Sequence, residues 1–331
     1  MNLLTRRDLL QRAGGIAAAA CAPSVIAQAG PNLDLARIVI GFAPGGATDV
    51  IARRLADGLT GQYAKTVIVE NKPGAATRLA SETVKRAPSD GTYFLVAPAG
   101  VMFLFPHIYD KLSYDPFKDF VPVTRMGITT FALAVGPAVP PSVTNIPQFI
   151  DWCRMNPGSA SCGVTAAGSV PHFMIEELKR QQKFDLTIIP YRGAAPGIQD
   201  LVGGQVAGMI STIGDFLPFL ESGKARILST SGRERSPYLR GTATLVEQGY
   251  RDLVVTEEYP VVFLPAGTPR TVVDKLAAEV GKVMQKPEMR QTMEKFGIDI
   301  STSSPEDLMH SIREEYERWG PVVKATGFKA E

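Results

Sequence analysis

Between Ile38 and Leu59 the chain reads I-V-I-G-F-A-P-G-G-A-T-D-V-I-A-R-R-L-A-D-G-L. Few residues here can do chemistry: Gly45, Gly46 and Ala47 through their backbone, Thr48 through its hydroxyl, Asp49 through its carboxylate. A β-branched run stops at Gly41-Phe42-Ala43-Pro44, and Ile51, Leu55 and Leu59 then recur at helical spacing. That pattern predicts strand, glycine turn and helix start. A helix start leaves its first N–H groups without intrahelical partners, and its dipole end is positive. Glycines let a ligand come close to that end. The chemistry on offer is anion binding by backbone donors; an ordinary strand-to-helix turn without a ligand is the other reading. Asp49 would repel an anion directly, so it is read as a helix cap or loop brace, able also to anchor a bridging water.

A second helix start follows Gly168-Ser169, with Pro171 opening a helical pattern. If the two halves face one another, two helix tips point into one cleft, which suits an anion held from both sides. His172 is read as a structural histidine bonded to a loop carbonyl, with ligand contact as the alternative. Tyr191 can line a pocket or belong to the core. Arg192 is the cationic side chain best placed near such a site, or a solvated surface arginine.

Nothing in the chain assembles a catalytic centre. There are three histidines, His107, His172 and His310, and no G-x-S-x-G, H-E-x-x-H, C-x-x-C, Walker or G-x-G-x-x-G pattern. No enzyme activity, metal or cofactor is expected.

The first thirty residues read as an export signal. Arg6 and Arg7 precede Leu9-Leu10, an alanine-rich apolar stretch follows, and Ala27-Gln28-Ala29 closes it. The paired arginines resemble the twin-arginine (Tat) type, with an ordinary Sec signal as the alternative. Beyond residue 29 the chain holds 32 basic and 32 acidic residues. It has no Lys/Arg-rich block, so nucleic acid is not an expected partner. No further apolar run reaches the roughly 18 residues of a membrane span. Cys153 and Cys162 flank a Pro157-Gly158 turn; an exported compartment permits a disulfide between them, and two buried free thiols are the alternative.

Strand-like runs at 38–40, 67–69, 93–97, 131–135, 161–164, 187–190, 206–210 and 227–230 alternate with helical patterns at 49–59, 76–85, 146–155, 171–183, 197–202 and 216–222. This alternation predicts α/β layers with a largely parallel sheet. A last strand at 261–264 is followed by Pro265-Ala266-Gly267-Thr268-Pro269, with Thr268 placed to cap a helix opened by Pro269. Ser304-Pro305-Glu306-Asp307 opens a second long helix. If these helices pack back on the first domain, the chain crosses between domains near 127–131 and 255–261, leaving a hinged cleft.

The ordered motifs resemble a known family. Pro44-Gly45-Gly46-Ala47-Thr48-Asp49 looks like the first-loop signature of the tripartite tricarboxylate transporter receptors, or Bug-type receptors. Val69-Glu70-Asn71-Lys72-Pro73-Gly74-Ala75, Pro88-Ser89-Asp90-Gly91-Thr92-Tyr93 and Tyr114-Asp115-Pro116-Phe117-Lys118-Asp119-Phe120 are similar to later signatures. So are Gly168-Ser169-Val170-Pro171-His172, Pro190-Tyr191-Arg192-Gly193-Ala194-Ala195-Pro196 with Gly203-Gly204-Gln205-Val206, and Pro265-Ala266-Gly267-Thr268-Pro269.

The resemblance implies a two-domain α/β periplasmic binding protein of the type II solute-binding fold. Domain 1 is expected over 31–127 plus 258–331 and domain 2 over 128–257. It implies a monomeric receptor in the periplasm that takes a small organic anion, commonly a carboxylate, to the membrane subunits of a tripartite transporter. Feeding a periplasmic sensor kinase instead is the alternative. The cleft-facing residues it implies are Phe42, Gly45, Gly46, Ala47, Thr48, Asp49, Ala99, Gly100, Thr165, Gly168, Ser169, His172, Tyr191, Arg192 and Ser211. The chain departs from the pattern at Ala166, Ala207, Ile210-Ser211 and Tyr259-Pro260-Val261. Fewer acids on the second domain's side are expected to ease anion binding, and Val261 to narrow the cleft wall.

Overall fold

The computed structural model describes residues 33–74, 77–251, 253 and 257–330. The expected export signal at 1–29 lies outside the described residues.

Two mixed sheets organise the chain. The first has the order β2-β1-β3-β11-β4, built from β1 (Leu33–Ile40), β2 (Ala64–Asn71), β3 (Tyr93–Pro98), β4 (Phe120–Arg125) and β11 (Pro260–Pro265). Both faces are covered. Ile38, Ile40, Phe94, Val96, Val262 and Leu264 point to one side, under α1 (Ala47–Leu59), α9 (Arg270–Met284) and α10 (Pro287–Lys295). Val39, Leu95, Ala97, Val261 and Phe263 point to the other, under α2 (Arg78–Lys85), α3 (Gly100–Phe103), α4 (Phe105–Ile108) and α11 (Pro305–Thr326). A strand buried on both faces needs a continuous apolar run, which is why Ile38–Ile40 reads I-V-I rather than alternating.

The second sheet joins β5 (Thr129–Val135), β6 (Ser161–Val164), β7 (Thr187–Pro190), β8 (Gly208–Thr212), β9 (Arg226–Thr230) and β10 (Glu257–Glu258). Around it pack α5 (Ile146–Met155), α6 (Val170–Gln182), α7 (Ala194–Val202) and α8 (Ile213–Leu220).

The sheets are less parallel than the alternation suggests. The β1–β2, β1–β3, β6–β7 and β6–β8 pairs are parallel. Strand β11 runs antiparallel to β3 and β4, and β5 antiparallel to β8, β9 and β10. The reason is connectivity. Strands β5 and β11 are where the chain enters one sheet from the other, and each enters against the local strand direction. Residues 126–128 carry the chain from β4 to β5, and Tyr259 alone separates β10 from β11.

Two local expectations are corrected. Thr268 does not cap α9; its hydroxyl donates to Pro265 O at 2.7 Å, and Pro269 occupies the cap position. Three helices rather than two follow β11, because Pro287 restarts the chain as α10. Ser304 does cap α11, accepting from Asp307 N at 3.0 Å.

Cys153 and Cys162 are free and buried, and burial pushes both thiols up. We therefore expect Ellman's reagent to leave both unlabelled in the folded protein and to titrate both after denaturation without reductant; thiols that appear in the denatured protein only after a reductant is added would indicate a bridge. Phe263 is fully buried and meets Phe120 edge-on at 6.1 Å. Phe263→Ala should lower the urea-unfolding free energy by about 3–5 kcal/mol.

Candidate functional site

Each expected cleft residue follows or ends a strand that has at least one parallel neighbour. Residues 42–49 follow β1, and Ala99 and Gly100 follow β3; Thr165 to His172 follow β6, Tyr191 and Arg192 follow β7, and Ser211 lies at the end of β8. The carboxyl edge of a parallel sheet is where chain ends and helix starts leave a crevice for ligands. The two edges approach each other: a Cβ on Gly100 would stand 3.8 Å from Val170 Cγ2 of the second sheet's α6.

The first loop is built around Asp49. Its carboxylate is almost wholly buried and accepts from Gly45 N at 2.9 Å, from Arg53 Nε and Nη2 at 2.9 Å each, and from Asn71 Nδ2 at 2.8 Å. Asn71 Nδ2 also donates to Phe42 O at 3.0 Å. The bidentate Arg53 contact, aided by Asn71 and Gly45, outweighs burial and holds Asp49 at a pKa of about 2. The acid is thus a brace with its charge matched by Arg53, not a group aimed at a ligand. Arg53 and Asn71 were not singled out from the sequence, although Asp49 and Arg53 stand at i,i+4 on one helix face.

The brace sets the backbone outside it. Gly45 takes φ +96, a conformation that favours glycine. Gly46 is the N-cap of α1 at φ −79 and has no side-chain cap bond. That angle suits any residue, so backbone conformation does not demand a glycine there. Space does not demand it either, since a Cβ on Gly46 would have no atom within 4 Å. Gly45, Gly46 and Ala47 are exposed, Phe42 and Thr48 half-buried. The first N–H groups of α1 therefore open on free space with bare backbone in front of them.

Several of the other expected donors are already engaged. Ala99 is fully buried, and its N–H donates to Tyr259 O and to Glu258 Oε1, both at 3.0 Å. Glu258 also accepts from Tyr259 N at 3.1 Å; burial pushes its carboxyl up to about 7 against those N–H bonds. Gly168, at φ +72, donates to His172 Nδ1 at 3.0 Å, and Ser169 Oγ donates to Ala166 O at 2.8 Å. A Cβ on Gly168 would press on Phe328 and Ile108 at 3.0 and 3.1 Å.

His172 is bonded to a loop N–H rather than to a carbonyl, which puts its proton on Nε2. Its ring stands edge-on to Phe328 at 5.0 Å, and burial lowers its pKa. Tyr191 lies back over Gly163 and Gly197, its hydroxyl donating to Asp200 Oδ2 at 2.7 Å. Burial, with Asp200 adding to it, pushes that phenol up to about 12. Thr165 O ties the next loop down by accepting from Gly193 N at 2.9 Å. Arg192 is exposed and makes no ion pair among the described residues.

The second sheet's edge is not short of acids. The buried Ser211 hydroxyl donates to Asp215, one turn into α8, and Thr212 Oγ1 donates to the same carboxylate at 2.9 Å. Asp215 thus brings a carboxylate back to the place where Ser211 had seemed to remove one, and Glu258 adds another at the crossing. Sequence reading missed both. The Ser211–Asp215 spacing was a usable signal; the position of Glu258 depends on the crossing itself.

The chain matches the family model described as "Tripartite tricarboxylate transporter family receptor" over residues 51–328. A UPF0065 protein in the gbd 5′ region of Cupriavidus necator is 33% identical over 329 residues, covering 98% of each chain. Protein BugT of Bordetella pertussis is 27% identical over 315 residues, covering 95% of each. The fold is that of the periplasmic binding protein BugD, with a TM-score of 0.77 at 28% identity, over 91% of this chain and 100% of that one. MatC from Rhodopseudomonas palustris with bound malate superposes with a TM-score of 0.76 at 28% identity, over 88% of this chain and 99% of its own. An R. palustris protein with adipate gives 0.79 at 29% identity, over 89% and 98%. The fold is therefore the two-domain α/β solute-binding fold, and the chain belongs to the tripartite tricarboxylate transporter family of receptors.

Proposed function

We propose that this protein is a periplasmic receptor that seats the carboxylate of a small organic anion on the first loop and carries it to the membrane subunits of a tripartite transporter. The observation that supports it most is Gly46: neither its backbone angle nor its neighbours require glycine, so its bareness serves whatever approaches the N–H groups of α1. Backbone donors and the Thr48 hydroxyl bind an anion by charge-assisted bonds without burying a counter-ion. The structural neighbours with malate and adipate support a carboxylate as the ligand class. Asp49 stays out of contact and holds the loop in shape.

In this reading the lobes are 31–127 plus 258–331 and 128–257, they close over the ligand by bending at residues 126–128 and at Tyr259, and the closed state is selected by bonds to both rims. Thr165 and Arg192 are the groups on the second rim best able to meet the anion. Asp215 would face the ligand's other end and favour a hydroxyl or other donor there. Residues 1–29 direct export before they are removed.

Gly46→Val should fold, with a stability loss of no more than about 1 kcal/mol for an unfavourable N-cap residue. Its affinity in calorimetric titrations with mono- and dicarboxylates should fall at least about tenfold, or 1.4 kcal/mol. Unchanged affinity would remove the first loop as the seat. Asp49→Ala, which frees Gly45, Arg53 and Asn71 together, should weaken the same ligand although Asp49 does not touch it. The brace is ionised in the folded state at about 2 against an ordinary 3.8, so its contribution is complete above pH 4 and lost as pH falls through about 2. The stability advantage of wild type over Asp49→Asn should stay constant from neutrality to about pH 4 and shrink below it, as followed by acid denaturation.

A further inference from the structure

Beside the crossing between the sheets, the hinge of the proposed function on which this inference rests, lies a polar pocket of about 140 Å³ that no part of the proposed cleft uses. Its walls come from both lobes and the crossing between them: Arg125 at the end of β4, Arg233 in the loop after β9, Glu257 and Tyr259 at the crossing, and Glu315 and Arg318 on α11. We propose that this cavity is a second binding site, for a small oxyanion, and that an anion held there ties the lobes at the hinge.

Two buried donors make the case. Tyr259 is only 5% exposed, and its hydroxyl has no hydrogen-bond partner among the described residues. Arg125 Nε is buried in the same state. Buried donors are paired in nearly all native structures, so two in one cavity wall call for an acceptor inside it. The acceptors on the wall do not fill that need. Glu315 is held by Arg318 and by Trp319 Nε1, the latter at 3.1 Å. Glu314 faces His310 at 3.2 Å. Glu257 is half-buried and forms no ion pair within 4 Å among the described residues, although Arg233 and Arg125 both act on it electrostatically. The wall as a whole carries three guanidinium groups, of Arg125, Arg233 and Arg318, and three carboxylates, of Glu257, Glu314 and Glu315, so its charge is balanced and what is left over is the two buried donors. That surplus of donors suits a compact group with several acceptor oxygens, a phosphate or a carboxylate, which can accept from Tyr259 and Arg125 at once. Arg125 ends β4 of the first sheet and Arg233 follows β9 of the second, so, on the proposed two-lobe reading, a shared anion links segments that shift relative to each other when the lobes bend.

The test is calorimetric titration of the purified protein with inorganic phosphate and, separately, with acetate, at constant ionic strength. The proposal expects saturable millimolar or tighter binding of at least one of them, weakened at least tenfold in Tyr259→Phe, which removes only the hydroxyl, and in Arg125→Gln. The same binding should survive in Gly46→Val, which separates this site from the cleft. Whichever anion binds names the source: phosphate without acetate means an inorganic oxyanion, and acetate without phosphate a carboxylate. No saturable binding of either would mean that the cavity holds water and would overturn the proposal. So would binding that persists in both hinge variants or disappears in Gly46→Val.

Discussion

The Asp49 carboxylate is the contact on which the first loop depends. It gathers Gly45 N, both arms of Arg53 and the Asn71 amide into one charge-matched cluster. A loop of exposed Gly45, Gly46 and Ala47 has almost no apolar surface with which to hold itself still. Without the brace, the ordering entropy of three such residues, about 1–2 kcal/mol each, would oppose any fixed set of donors. With it, the N–H groups of α1 are presented in one arrangement before a ligand arrives, which is the general route to tight binding from few contacts. The acid that looks most hostile to an anion is thus the residue that holds the proposed seat in shape.

The two rims differ in kind. The first offers open donors. The second keeps its donors busy: Gly168 with His172, Ser169 with Ala166, Ser211 and Thr212 with Asp215. Ala99, on the first sheet, is drawn away from the cleft by Tyr259 and Glu258. A seat on one rim and a more selective surface on the other would let relatives keep a common carboxylate contact while changing what the far end meets. Around the crossing, the apolar cluster under α11 runs without a break into the second lobe, through Val170, Phe173 and Trp319.

Much of this was legible in the chain. The β1–α1 junction announced itself through a β-branched run, a glycine pair and a helical stripe, and β6, β7 and α5 have the ends that their patterns predict. Strand β4 was not foreseen, because Pro122 breaks its reading as a strand; the proline is tolerated because β4 is an edge strand bonded only to β11. Strand β10 is two residues long, too short for any periodicity, and exists because Thr129 and Thr130 offer it a partner. Helix α10 has no clear apolar stripe, burying Met289, Thr292 and Met293 from a polar sequence. At the site, the loop was visible but its cause was not. Asp49 read as a brace, while the partners that make it one come from 4 and 22 residues away. Glu258 acquires its role only because the chain crosses between sheets beside it.

The most direct test of the central claim is the backbone amide spectrum of ¹⁵N-labelled protein during titration with malate, adipate and a set of monocarboxylates. If the first loop seats a carboxylate, the Gly46, Ala47 and Thr48 amides will move together and saturate with the ligand that binds, while Gly45, held by Asp49, moves least. A saturating ligand that shifts amides elsewhere and leaves those three unchanged would contradict it.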